Sequence, residues 1–83
     1  MNVITKKYYD KLHEKMLANS KEYAAGYEQG CMFRPFMEEK DVEVLEFKRE
    51  LYAGEDEYSA GIARVHLEVI YQKLCGKMGM VAA

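Results

Sequence analysis

The sequence predicts an all-α fold, a small bundle of three principal helices with a short connecting turn or helix at residues 31–40. Three observations carry that prediction. Apolar residues recur at helical spacing in three separate segments. Proline occurs once in 83 residues, and the long charged stretches are built on Leu, Met, Ala, Glu and Lys, which favour helix. The only short run with strand character is Val42-Glu43-Val44, too little for a β-sandwich.

The first helix is read from Ile4, Tyr8, Leu12, Met16, Tyr23 and Tyr27, spaced by four apart from one gap of seven across Asn19 and Ser20. Lys7 with Asp10 and Lys11 with Glu14 stand at i,i+3 on the polar side and predict a solvated face. Asn19 followed by Glu22 has the spacing of a capping box, which allows two helices meeting near residue 19. The continuing stripe favours one long helix over residues 5–29, closed by Gly30.

Residues 31–40 follow, with Pro35 able to open a short new helix but not to continue the old one. Met32, Phe33, Phe36 and Met37 are many large apolar groups for a loop, and the expectation is that they plug the end of the core. The second principal helix spans Asp41 to Ala53. At about 100° per residue, Val44, Leu45, Phe47, Leu51 and Tyr52 fall on one side and are expected to pack inward. Glu39, Glu43, Glu46 and Glu50 gather nearly opposite, as a carboxylate ridge if the helix is continuous.

Gly54 and Glu55-Asp56-Glu57 form the next boundary, where Asp56 or Ser59 is placed to cap a last helix running to about Leu74. Ile62, Val65 and Val69 lie on one stripe of it, and Ala63, Leu67, Ile70 and Leu74 on another. A helix so broadly apolar is central, or shares its second face with a copy of itself in a homodimer. Gly76 is expected to end it. The organisation is then a single helical domain over residues 1–76 and a flexible tail over 77–83. The last three residues of that tail resemble the small apolar ends of bacterial degradation tags, although a loose terminus is the plainer reading.

Composition narrows the function classes. A chain of 83 residues, 49% hydrophobic and 31% charged, has material for one core and too much of it to stay disordered. No apolar run of signal-peptide or membrane-spanning length is evident, and two cysteines, Cys31 and Cys75, are too few for a disulfide framework. A cytoplasmic protein with free thiols is the expectation. His13, His66, Cys31 and Cys75 lack metal-site spacing, and neither histidine has the Glu three residues before it that a carboxylate-bridged di-metal bundle uses. His66, one turn from Ile62 and Ile70, reads as a packed histidine, and His13 as solvent-facing. No nucleophile, phosphate loop or cofactor motif stands out, so neither an enzyme nor a cofactor is expected.

Charge is regional. Residues 30–57 hold nine acids against four bases, while the flanking segments are near neutral. The acids Glu39, Glu43, Glu46, Glu50, Glu55, Asp56 and Glu57 are therefore the candidate partner-binding residues, either for a basic protein surface or as an imitation of nucleic-acid phosphates. Direct DNA binding is disfavoured by the net charge of −2 and by a last helix that offers only Arg64, Gln72 and Lys73 to a groove. Lys6, Lys7, Lys11 and Lys15 are the one basic cluster. The resulting expectation is a small interaction protein, a regulator or inhibitor of the kind that phages and mobile elements encode, acting through its acidic helical face. A nucleic-acid mimic or a weak helix-turn-helix regulator are the alternatives.

Overall fold

Among the described residues the local sequence signals yield five helices: α1 (Val3–Asn19), α2 (Lys21–Met32), α3 (Arg34–Glu38), α4 (Val42–Ala53) and α5 (Glu57–Lys77). The computed structural model describes residues 3–53 and 56–77, with side chains at 6–51 and 56–75. Among the described residues there is no strand, and Val42-Glu43-Val44 opens α4. The all-α bundle is thus as expected, but the first segment is two helices rather than one.

The break falls at Ser20, whose backbone is extended (φ −134°, ψ 115°) and whose hydroxyl accepts the Tyr23 N–H at 3.1 Å. The cap is therefore one residue later than Asn19, whose side-chain amide turns back to the Lys15 carbonyl at 2.8 Å. That local bond removes Asn19 from the capping role, and the short Ser20 side chain fills it. Its hydroxyl also donates to Glu57 at the start of α5, tying the two helix N-termini together.

Gly30 does not close α2, which runs to Met32. Its role is packing. A β-carbon on Gly30 would lie 2.7 Å from Val65 Cγ2, one on Gly26 1.9 Å from the Tyr58 carbonyl oxygen, and one on Gly61 2.3 Å from the Tyr23 carbonyl oxygen. Glycine at these positions lets the backbones of α2 and α5 touch, which no residue with a side chain permits.

Pro35 sits in the first turn of α3, as its fixed φ and missing N–H allow. This helix is too short to bury much. Met37 faces α5 at 7% exposure, but Met32, Phe33 and Phe36 stand 68%, 49% and 64% exposed. The expected plug is therefore one methionine, because the same face of α3 is taken by Arg34, which reaches Glu68 and Gln72 of α5.

Asp56 caps α5 by accepting the Ser59 N–H at 2.7 Å. The helix continues through Gly76 to Lys77, so Gly76 does not end it. As the two stripes predict, α5 is central: Ala63, Val65, Leu67, Val69 and Ile70 are buried, and α2, α3 and α4 all pack on it. Met37, Leu45, Val65, Val69 and Ile70 form the core, with Tyr27, Val42, Ile62 and Leu74 packed around it. Lys77, expected to open the tail, is instead the last residue of α5, and the expectations for Ile4, Tyr52, Gly54 and residues 78–83 concern positions outside the described side chains or residues.

Candidate functional site

Helix α4 is anchored by Leu45, 1% exposed, with Val42 beside it. That single anchor decides which way the rest of the helix points. Val44, Phe47 and Leu51 are 41%, 63% and 54% exposed, so the side expected to face the core instead faces outward. The expectation fails because α4 lies at the edge of the bundle, where burying Leu45 against α5 leaves the neighbouring apolar arc uncovered.

On the outer surface the apolar stripe Val44, Phe47 and Leu51 runs beside Glu43, Glu46 and Glu50, because the two sets occupy adjacent arcs of a 3.6-residue turn. Glu43 and Glu50 are exposed and Glu46 is half-buried. Glu39 caps the C-terminal end of α3 and so leaves the α4 row. Asp56 accepts a local capping bond from Ser59 and Glu57 a bond from Ser20 across to α2, and Glu55 lies outside the described residues. Of the seven candidate acids, the helix therefore brings Glu43, Glu46 and Glu50 together.

A second exposed apolar feature adjoins this helix. Phe33 and Phe36 line a groove of about 290 Å³ together with Lys40, Leu45, Lys48 and His66. Burial holds His66 below the ordinary imidazole range, and the nearby Lys48 charge acts in the same direction. The packed position predicted for this histidine is the one it occupies, at 4% exposure.

His13 differs from its expected solvent-facing position. It is half-buried, its ring centroid 4.7 Å from that of Tyr27 and its Nδ1 2.9 Å from the Tyr23 hydroxyl. Burial, reinforced by the Arg64 charge, lowers its pKa. Tyr23 is pushed up to about 12, chiefly by burial. Tyr27 is raised by burial and by donating its hydroxyl to Glu68 at 2.7 Å.

Beside these aromatics lies a polar network that the sequence did not reveal. Arg64 donates to Asp10 at 2.8 Å and to Glu68 at 3.1 Å, and Lys6 donates to the other oxygen of Asp10 at 2.8 Å. The Lys6 bond is the largest influence lowering the Asp10 pKa. Asp10 thus pairs with Lys6 and Arg64 rather than with Lys7. The network joins α1 to α5 through side chains, where helix-to-helix backbone contact is sparse. Lys7, Lys11 and Lys15 remain exposed on α1, and Lys6, though paired, is exposed too.

Among the described residues, no three of His, Cys, Asp and Glu gather in a metal-binding arrangement. Cys31 is exposed and Cys75 half-buried, and both are free thiols. No described helix is long and apolar enough to cross a membrane. Fold and surface define a small all-helical protein with an uncovered amphipathic edge helix. No protein-family model, curated protein or solved structure matches the chain.

Proposed function

We propose that this protein is a non-enzymatic interaction module that docks a partner protein through the outward face of α4. The carrying observation is that Val44, Phe47 and Leu51 stand exposed in one row, alongside Glu43, Glu46 and Glu50. A purely solvating face has no use for three large apolar side chains in register. Partner chemistry follows from the pattern: an amphipathic helix with an apolar stripe and a lysine- or arginine-rich flank satisfies both halves of the surface.

The same pattern favours a protein partner over imitation of nucleic acid. A phosphate mimic needs carboxylates at regular spacing over a polar surface, whereas here an apolar stripe borders them. A regulator or inhibitor of a basic host protein is the corresponding biological role.

The test uses a 20-residue helical peptide with a leucine stripe and lysine flank, and a scrambled peptide of the same composition. The native protein should bind the amphipathic peptide in a salt-sensitive manner. Reversing Glu43, Glu46 and Glu50 to Lys, or truncating Phe47 and Leu51 to Ala, should each weaken binding at least tenfold with helicity and melting retained. Equal binding of both peptides, or binding indifferent to either set of folded variants, would reject the α4 face as the docking surface.

A further inference from the structure

A cleft of about 260 Å³ opens between α1 and the α4–α5 pair. It exists because α1 is held at a distance by side chains: Arg64 spans to Asp10, the Arg49 guanidinium lies 5.8 Å from the centroid of the Tyr9 ring, and Lys6 stands 5.8 Å from that of Tyr71. The cleft is unusual for this chain in its charge. Among the described residues Arg49, Arg64 and His13 line it and no Asp or Glu does, although acids outnumber bases by 14 to 12 in the whole sequence.

Among the described residues, the buried nitrogen atoms Arg49 Nε and Arg64 Nη1 meet no hydrogen-bond partner. Buried N–H groups are nearly always paired, so two on arginines that line one cleft call for an explanation. Arg64 has Asp10 and Glu68 behind it to balance its charge, whereas among the described residues Arg49 has no ion-pair partner and its guanidinium lies against the Tyr9 ring. The rest of the lining is apolar and aromatic, from Leu12, Ala60, Ala63 and Leu67 with the rings of Tyr8, Tyr9 and Tyr23.

We propose that this cleft binds a small free aromatic carboxylate. The ring would lie between the tyrosines and the alanine floor, and the carboxylate would accept from the guanidinium of Arg49, with Arg64 beside it. Size supports a compact ligand, since the volume is below the roughly 300–1,000 Å³ of pockets that hold drug-sized molecules. This site is separate from the outer face of α4, because Arg49 lies on the inner side of that helix.

Titration of the isotope-labelled protein with sodium benzoate, followed by amide shifts, tests the proposal. Saturable shifts should centre on His13, Ala60 and Ala63, and benzyl alcohol and acetate, which each lack one half of the ligand, should bind at least tenfold more weakly. Arg49→Gln should weaken benzoate at least tenfold in a protein that still melts cooperatively, and Leu12→Trp, which adds bulk to the cleft lining, should do the same without touching a charge. Absence of saturable shifts, or undiminished benzoate affinity in either folded variant, would overturn the site. N-acetylphenylalanine binding tenfold tighter than benzoate would overturn the free-acid assignment in favour of a polypeptide terminus.

Discussion

Replacing Gly61 by alanine tests the central packing claim, that α2 and α5 cross in backbone contact. An added β-carbon would stand 2.3 Å from the Tyr23 carbonyl oxygen, 2.6 Å from the Tyr27 nitrogen and 3.0 Å from the Gly26 carbonyl carbon. All three obstacles are backbone, so no rotamer change relieves them. Carbon–oxygen contacts between neighbouring elements settle near about 3.3–3.6 Å, and the helices must therefore part by about 1 Å. Overpacking of that kind costs about 1–3 kcal/mol, and a gap of about 1 Å forfeits a quarter to a half of each dispersion well along the crossing. Alanine returns about 1 kcal/mol through its better helix propensity. The balance is a loss of about 1–3 kcal/mol, which for a domain of this size lowers Tm by about 4–24 °C. Circular dichroism at 222 nm during heating and urea titration both read this. Ala25→Gly on the exposed side of α2 serves as a calibrant at about 1 kcal/mol from propensity alone. A Gly61→Ala protein melting at or above the native temperature would refute the backbone contact.

Ser20→Ala removes the hydroxyl that caps α2 and should cost about 1 kcal/mol, read as a lower urea midpoint with unchanged slope; no change would remove Ser20 from that role. Arg64→Leu leaves Asp10 and Glu68 without their shared partner, and because the site is only partly sheltered the loss should be about 2 kcal/mol, with α1 amides exchanging faster than those of α5; uniform exchange would contradict the tethering of α1 by this arginine. For pH, burial depresses both His13 and His66, aided by Arg64 and Lys48, respectively. The folded state then prefers the neutral rings, so their contribution is complete above the unfolded value of about 6.5 and is lost as pH falls through the lower folded values. The urea midpoint should fall between pH 7.5 and pH 5, and a midpoint that rises on acidification over that range would contradict the burial of these rings. Asp10, held low first by Lys6, acts with the same sign in a more acidic window, near and below about pH 4.

Legibility followed the number of neighbours each helix has. The two apolar stripes of α5 marked it as central, and so it is, because a helix covered on several sides buries every apolar arc that it carries. The Asp56 cap was readable because it depends on residues three apart in the chain. The α1–α2 break was half legible: capping spacing placed it near residue 19, but choosing between Asn19 and Ser20 depended on the bond from Asn19 back to Lys15. Gly26, Gly30 and Gly61 carried a signal that was present and underused. Glycine at 26 and 30, inside an otherwise helical pattern, marks a close approach of backbones more readily than it marks an end.

The candidate docking face was legible in its charges and misread in its apolar half, for a reason that periodicity does not contain. On a helix whose apolar residues cover a wide arc, the pattern states that a side is apolar but not how much of it a neighbour covers. Val44, Leu45, Phe47 and Leu51 span such an arc, and packing on α5 encloses Leu45 while leaving the other three at 41%, 63% and 54% exposure. The same step separates Glu39 from the α4 row, since the turn before Val42 interrupts the continuous helix on which the four-residue spacing relied. What the misreading conceals is the more informative arrangement. Carboxylates opposite a buried face are explained by solubility alone, whereas carboxylates alongside uncovered Phe47 and Leu51 require a partner that offers both apolar surface and positive charge to enclose the whole stripe. Truncating Phe47 and Leu51 therefore discriminates between the two explanations. A solvating ridge would lose nothing by it and would gain solubility, while a docking face would lose its partner with melting unaltered.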